Sequence, residues 1–356
     1  MKTAKELAKH LNLSVSTVGR ALANDSRISV KTRQLVMKEA ERFGYVANRA
    51  AQMMRGGSSK LVGLVLSDLG NSQYSIGAHA LSKTLEAEGY QLVLSETNDD
   101  PDAELRQLRE LISASAAGIV ITPTKNPRPE TIRLLKSTPH VQWIRRHPSL
   151  GEQWFCFDNV KAFEAGTRHL IALGHKRIGY IGPPPSTFVG EERLNGFRMA
   201  QMSVAVDEEL MVFGPGASSE FGRAALRQLL ALTEPPTGIV LGSLQITRGI
   251  LDEVIDQGLK IPEQFSVVGF GDEPGFRWWQ PGLTTISVPN SEIATACGLW
   301  LLHQMKKGSA ASSAPFGSVT PGELVVRGSS GPPPRQDLLA SSGSPMQSAR
   351  DELNPS

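Results

Sequence analysis

The 356-residue sequence holds only two cysteines, Cys156 and Cys297, and neither stands in a CxxC or Cys/His array. At most one bridge is available, so a disulfide framework is excluded, and two isolated thiols read as core residues rather than metal ligands. Long apolar runs are also missing. No stretch reaches the roughly 18 apolar residues that a membrane-crossing helix needs. The first residues, MKTAKELAKH, enter a charged amphipathic pattern with no apolar signal region. The expectation is a cytoplasmic protein with no membrane partner. No G-x-G-x-x-G follows a strand pattern and no G-x-x-x-x-G-K-[ST] occurs, so neither a dinucleotide enzyme nor a P-loop NTPase has support. His169 and His175 lie six apart, off one helical face, and no Ser/His/Asp or metal constellation stands out. These absences argue against an enzyme and against a cofactor or bound metal.

What is present divides unevenly. A hydrophobic content of 40% with 20% charged residues is ordinary for a globular chain, long enough here for two or three domains. The net charge of +2 conceals a split: residues 1–60 carry 12 Lys/Arg against 4 Asp/Glu, and the remainder carries 25 against 31. A strongly basic small segment is the electrostatic footprint of phosphate contact.

Within that segment Ala4, Leu7, Ala8 and Leu11 recur at helical spacing, predicting a short helix that ends near His10. Asn12 supplies a turn. Ser14 caps a second helix, Val15 to Ala23, with Val18, Ala21 and Leu22 inward and Ser16, Thr17 and Arg20 outward; Asn24 and Asp25 stop it. Ser29 caps a third, Val30 to Phe43, with Val36, Ala40 and Phe43 inward and Gly44 as its stop. Three short helices with a tight turn between the first two form a helix-turn-helix head, although geometry alone also admits a three-helix bundle with no nucleic-acid role.

Residue identity is more specific. TAKELAKHLNLSVSTVGRALAND, followed by ISVKTRQLVMKEAERFGYVANRAAQMMRGG, resembles the head and hinge of the LacI/GalR family of repressors across roughly residues 3 to 56. The resemblance implies that Val15, Ser16 and Arg20 reach base edges in the major groove, with Arg20 suited to guanine O6 and N7. It places Thr17, Asn24, Arg27, Thr32, Tyr45 and Asn48 on the DNA backbone, where contacts position the head without reading sequence. Gly19 replaces the serine usual in this motif, which removes a hydroxyl and costs about 1 kcal/mol of helix propensity; lower operator affinity is the expectation. Residues 48–55, NRAAQMMR, are too few to hold a helix alone. The resemblance makes them a minor-groove hinge with Ala51 and with Met54 as the apolar wedge. The plain alternative is a linker, which Gly56-Gly57-Ser58-Ser59 is.

Beyond the linker, short apolar runs (Leu61–Leu66, Gln91–Leu94, Gly118–Ile121, Val141–Ile144, Arg177–Ile181, Gly238–Leu241, Phe265–Phe270) alternate with helical patterns (Ser75–Glu88, Glu104–Ser113, Ala162–Leu173, Thr247–Gln257). Alternation of this kind predicts parallel sheets with helices on both faces, and it restarts near Asp158, predicting two similar lobes and a cleft. The stretches DNVKAFEAGTRHLIALGHKRIGYIGPP, EERLNGFRMA, FSVVGFGDEPGFRWWQPGLTTI and GELVVRGSS resemble the family's sensor domain, which is similar to periplasmic sugar-binding proteins. The expected fold is therefore an N-terminal all-α helix-turn-helix head plus an α/β two-lobed periplasmic-binding-protein-like domain. The expected boundaries are 1–46 for the head, 47–60 for hinge and linker, 61–330 for the effector-binding and dimerisation domain, and 331–356 for a disordered Gly/Ser/Pro-rich tail.

For the cleft, the resemblance puts a ligand-holding arginine at Arg193, with Tyr74 and Asp158 on cleft-edge segments. Three positions depart from the sugar-binding pattern. Arg145 and Arg146 stand where an aspartate is usual, Gly271 replaces the first of an Asp-Asp pair and leaves Asp272, and Ser243-Leu244 replaces Asn-Asp. Losing acceptors while gaining guanidinium groups favours an anionic effector such as a sugar acid or sugar phosphate. The alternative is that Arg145 pairs with a nearby carboxylate and the ligand is neutral. Trp278 and Trp279 either stack on a ligand or fill the lobe interface. The family resemblance further implies a repressor acting on double-stranded DNA as a homodimer, or a tetramer, on a pseudo-palindromic operator, with allosteric control by the effector. A transport solute-binding protein and an architectural DNA binder with a vestigial sensor are the rivals.

Overall fold

The computed structural model describes residues 3–22, 25–44, 59–202, 207–214, 218–307 and 316–334. The chain divides into two compact units, residues 1–60 and 61–356.

The first unit is three helices: α1 (Ala4–His10), α2 (Val15–Leu22) and α3 (Val30–Arg42). Thr3 and Glu6 form a reciprocal capping box at the start of α1. Asn12 turns the chain with φ 54°, a left-handed conformation that Asn tolerates better than most residues. Ser14 Oγ accepts the Thr17 N–H at 3.0 Å and Ser29 Oγ accepts the Thr32 N–H at 3.1 Å, so both predicted caps are in place. Leu7, Ala8, Val18, Ala21, Val36 and Ala40 form the small core that holds the three helices together.

The second unit contains two lobes with the same winding. The first is built from β1 (Leu61–Leu66), α4 (Ser72–Glu86), β2 (Gln91–Glu96), α5 (Pro101–Ser113), β3 (Gly118–Ile121), α6 (Pro129–Lys136), β4 (His140–Trp143) and β5 (Gln153–Phe157). The second follows with α7 (Asn159–Ala172), β6 (Ile178–Gly182), α8 (Phe188–Ala200), β7 (Met211–Phe213), α9 (Ser219–Leu230), β8 (Gly238–Leu241), α10 (Leu244–Asp256), β9 (Ser266–Phe270), α11 (Pro274–Trp278) and β10 (Thr284–Ser287). The chain then returns to the first lobe as α12 (Asn290–Lys307) and β11 (Phe316–Thr320) and ends in the second as β12 (Glu323–Val325). Strand orders are β11-β5-β4-β3-β1-β2 and β12-β10-β9-β8-β6-β7, parallel throughout except for β12 against β10. The restart expected near Asp158 is the first of the crossings between lobes.

Helices cover both faces of each sheet. In the first lobe Val65, Ile119 and Ile121 pack with Leu108 and Leu111 of α5 and Leu135 of α6, while α4 and α12 share a larger core with α7 and α8 of the second lobe. On the second lobe's other face α9 and α10 pack on Ile181, Ile239, Leu241 and Val267. Those two helices approach closely because glycine faces backbone. A Cβ at Gly222 would stand 2.6 Å from the Ile246 carbonyl oxygen, and one at Gly249 would collide with the Ser219 carbonyl. Glu253, fully buried on α10, accepts from Arg227 at 2.6 Å and lies 3.1 Å from Arg223, both on α9.

Two expectations change in detail. The strand predicted through Ile144 stops at Trp143, because Ile144 adopts φ 66°, a conformation a β-branched residue rarely takes. The ordered body also continues past residue 330: Gly331 donates its N–H to Ser266 Oγ and its carbonyl meets the His175 ring at 2.9 Å. The rest of the expected tail, 335–356, lies outside the described residues.

Gly249→Ala should destabilise the second lobe by about 1–3 kcal/mol, since the α9–α10 contact leaves no space for a methyl group and backbone cannot rotate away as a side chain can. Urea unfolding followed by circular dichroism reads this as a lower midpoint; an unchanged midpoint would show that the helices can part at no cost.

Candidate functional site

Two surfaces concentrate chemistry, one on each unit. On the head, the inner face of α2 is closed by fully buried Val18 and Ala21, which turns Val15, Ser16 and Arg20 outward. Val15 is 45% exposed, unusual for a β-branched apolar side chain at the start of a helix. Ser14 Oγ also lies 2.9 Å from Ser16 Oγ and 2.8 Å from Thr17 Oγ1, which steers both hydroxyls toward the N-terminal end of α2. Helix N-termini favour anions. Arg27 forks onto Asp25, with Nε 3.0 Å from Oδ1 and Nη2 2.7 Å from Oδ2, and these hydrogen bonds hold the Asp25 carboxyl down to about 2. The Arg27 charge is thus paired with an ionised acid within the head. Asn24, Tyr45, Asn48, Ala51 and Met54 lie outside the described residues.

On the second unit, β1 lies between β2 and β3, and β6 between β7 and β8, so each sheet has a switch in winding direction at that point. Ligand crevices of open α/β sheets form outside the carboxyl ends of strands at such switches. Ser67 follows β1 there, Arg145 follows β4, and Gly242 and Ser243 follow β8. The reversed turn at Ile144, with the Arg145 N–H donating to the Trp143 carbonyl at 2.7 Å, breaks the strand and swings the two arginines into different directions.

Arg145 forks onto both carboxylate oxygens of Asp99 and reaches Ser67 Oγ at 3.5 Å. Its expected alternative, a nearby acid partner, is therefore the arrangement the structure shows. Tyr74, buried on α4 and edge-on to Trp143 at 5.9 Å, brings its hydroxyl beside Arg145. Arg193 is only 8% exposed. Its Nε donates to Asn159 Oδ1 at 2.8 Å and its Nη1 to the Gly242 carbonyl at 2.6 Å, with the guanidinium lying 4.2 Å over the Phe270 ring. Burial, with Arg145 nearby, pulls its pKa down to about 10, so it keeps its proton at neutral pH. Tyr74, Arg145 and Arg193 are thus gathered at one place, with Ser243 beside them on the far lobe.

The remaining expectations divide. Ser243 Oγ accepts the Ile246 N–H and Asp158 Oδ1 accepts the Lys161 N–H, so both cap helices, α10 and α7, at the cleft. Asp272 is engaged within its own lobe. Arg327 takes both its oxygens at 2.7 and 3.0 Å and Thr285 donates to it at 3.0 Å. The next residue, Glu273, does the work between lobes instead: it accepts from Ser72 Oγ at 2.6 Å and from Arg248 at 2.5 and 2.9 Å. Gly271, with φ 79°, turns the chain just before both, and no pattern in the sequence distinguishes the two acids. Trp278 is 77% exposed and Trp279 packs on the core of the second lobe, so neither fills the lobe interface. Both cysteines are buried, which pushes the Cys156 thiol up to about 12. Among the described residues no His/Cys/Asp/Glu group is placed to hold a metal, and no helix is long and apolar enough to cross a membrane.

Residues 3–48 match the bacterial regulatory proteins of the lacI family and residues 167–330 match the periplasmic binding protein-like domain. The chain thus carries the lacI-family helix-turn-helix domain and the periplasmic binding protein-like domain of LacI/GalR regulators. Its relatives include the transcriptional repressor CytR of Escherichia coli (strain K12), 28% identical over 330 residues that cover 92% of this chain and 96% of CytR. The transcriptional regulator GalR of the same organism is 27% identical over 298 residues, 83% of this chain and 87% of GalR. The lac repressor dimer bound to operator and the anti-inducer ONPF superposes with a TM-score of 0.79 at 22% identity, covering 93% of this chain and 99% of that one. With both domains on one chain, the protein is a DNA-binding transcriptional regulator governed by a small molecule.

Asp272→Asn should cost about 1.5–3 kcal/mol of stability at neutral pH by leaving Arg327 without its acid. The Asp272 carboxyl is held low against the cost of its burial by Arg327 and Thr285. A depressed folded-state value stabilises above the ordinary carboxyl range, near pH 4, and that contribution disappears as pH falls through the folded value. Denaturation midpoints at pH 7 and pH 3 should therefore differ between wild type and variant at the higher pH and converge at the lower.

Proposed function

We propose that this regulator reads a pseudo-palindromic operator as a homodimer and that an anionic carbohydrate in the interlobe cleft sets its affinity for that operator. Val15, Ser16 and Arg20 read bases, because they form the outward face of a helix whose inward face is locked in the head core. Thr17, Arg27 and Thr32, with Asn24, Tyr45 and Asn48, hold phosphates, and Ala51 and Met54 enter the minor groove. The lac repressor dimer on its operator supports the dimeric arrangement; a tetramer adds a second such pair. In the cleft Tyr74, Arg145, Asp158, Arg193 and Ser243 form the effector's surroundings.

The observation that carries the anionic reading is Arg193: a buried guanidinium whose hydrogen bonds all go to neutral oxygens, with a second arginine beside it. A charge withdrawn from water and left without a hydrogen-bonded acid favours a ligand that supplies one. Effector contacts to both lobes would shift the balance between two lobe arrangements, a coupling usually of 5- to 150-fold, roughly, in affinity.

Fluorescence anisotropy with operator and scrambled duplexes, at one fixed salt concentration, tests both halves. Arg20→Ala should lose about 10- to 100-fold of the preference for operator while binding scrambled DNA almost as before. An unchanged preference removes Arg20 from base reading. Adding D-galacturonate or glucose 6-phosphate should change operator affinity of the wild type; a response to neutral sugars alone overturns the anionic effector.

A further inference from the structure

We propose that the cavity on the β5 side of the cleft is a dedicated oxyanion subsite, in which Arg146 receives the carboxylate or phosphate of the effector. The proposal rests on the anionic reading of the cleft and specifies the group that does the recognising.

The cavity encloses about 320 Å³, and both lobes line it: Arg146, Trp154 and Cys156 from the first, Asn159, Phe188 and Glu192 from the second. That volume is at the small end of ligand pockets and suits a compact polar molecule or one end of it. Arg146 is set there by aromatic faces. Its guanidinium carbon lies 4.5 Å from the centre of the Trp154 ring and 4.6 Å from that of Phe188, one ring from each lobe. Stacking fixes the plane of the fork and leaves its N–H edges, which match an oxyanion in two-pronged fashion.

Comparison with the neighbouring arginines separates this one. Arg145 is neutralised by Asp99, Arg248 by Glu273 and Arg327 by Asp272, each through direct hydrogen bonds. The acid nearest Arg146, Glu192, stands 3.7 Å away, too far for a hydrogen bond, and its Oε2 is already occupied by the Asn159 amide at 2.9 Å. Burial raises the Glu192 carboxyl above its ordinary range against the pull of the Asn159 amide and Arg146, so Glu192 is a competing charge that its own burial disfavours. An oxyanion on Arg146 also touches a wall built from the second lobe, so the same contact that recognises charge joins the lobes.

Isothermal titration of the full chain with D-galacturonate and its neutral parent D-galactose, and with glucose 6-phosphate and D-glucose, tests the assignment. Wild type should bind one acid about 10- to 100-fold more tightly than its parent, and which acid does so tells carboxylate from phosphate. Arg146→Gln should abolish that preference. Arg145→Gln should weaken acid and parent by similar factors and keep their ratio. Glu192→Gln, which removes a competing negative charge and little volume, should enlarge the preference several-fold and gives an independent reading if Arg146→Gln folds poorly. A preference that survives Arg146→Gln and vanishes in Arg145→Gln overturns the subsite and leaves the anionic cleft standing. Parents that bind as tightly as both acids, or no binding by either acid, overturn both.

Discussion

A parallel sheet has to be covered on both faces, and nearly everything about the sensor unit depends on that requirement. Ten of its strands pair only in parallel, so each needs a crossover, and the crossovers here are mostly helices that cover both faces, α4 on one side of the first sheet with α5 and α6 on the other. The consequence is directional: all carboxyl ends of one sheet gather at one edge. Because β5 leads directly into α7, and the chain returns through α12 and crosses again between β11 and β12, those edges become the two walls of one cleft. Phe157 at the end of β5 meets Phe270 at the end of β9 at 6.2 Å, and Phe270 stacks on Phe163 at 5.8 Å, so the lobes share a packed core beside the crossings. The cleft inherits an aromatic floor, and on it lies Arg193.

Charge placed on such a floor is expensive unless it is answered. The structure answers most of it internally, each arginine at the cleft edge taking an acid from a different element. Arg193 is instead answered by an amide oxygen, a carbonyl and two aromatic faces, which leaves its charge solvated by dipoles and without a counter-ion. The change from aspartate to arginine after β4 therefore has a different result from the one composition suggests. Arg145 adds no net charge, because Asp99 cancels it; the charge without a hydrogen-bonded acid belongs to Arg193, and to Arg146, whose ion pair with Glu192 at 3.7 Å is a loose one.

How much of this is legible in the sequence depends on how local the cause is. The apolar runs Leu61–Leu66, Gly118–Ile121 and Gly238–Leu241 are strands over those residues, since buried parallel strands are continuous apolar segments. The head is legible for the same reason, its caps and core spacing being set within a few residues. The strand QWFCF escapes notice because it mixes a glutamine with two aromatics and carries no flanking signal, and β12, three residues against an edge, has no periodicity to read. Helix α8 is obscured because Arg193 sits on its buried face, where an apolar residue would reveal the pattern. Site residues were identifiable by position and not by partner. Asp99 is 46 residues from Arg145, and the arginines that engage Asp272 and Glu273 lie 55 and 25 residues from them.

Ligand control requires more than affinity. A molecule that contacts one lobe binds both lobe arrangements equally and moves neither population, however tightly it is held. Ser72, Glu273 and Arg248 already tie the lobes without ligand, through hydrogen bonds to a charged group that are each worth about 1.5–3 kcal/mol at most. An effector must therefore add or remove a comparable interaction across the same gap. Arg193 lies beside Asn159 and Gly242, all on the second lobe, so gripping a ligand there supplies binding but no bias. Arg145 and Tyr74 belong to the first lobe, and a molecule spanning from them to Arg193 supplies both. The chemistry that selects the effector and the geometry that transmits its presence are in this fold the same set of contacts, because the cleft exists only where the two sheets present their carboxyl ends to each other.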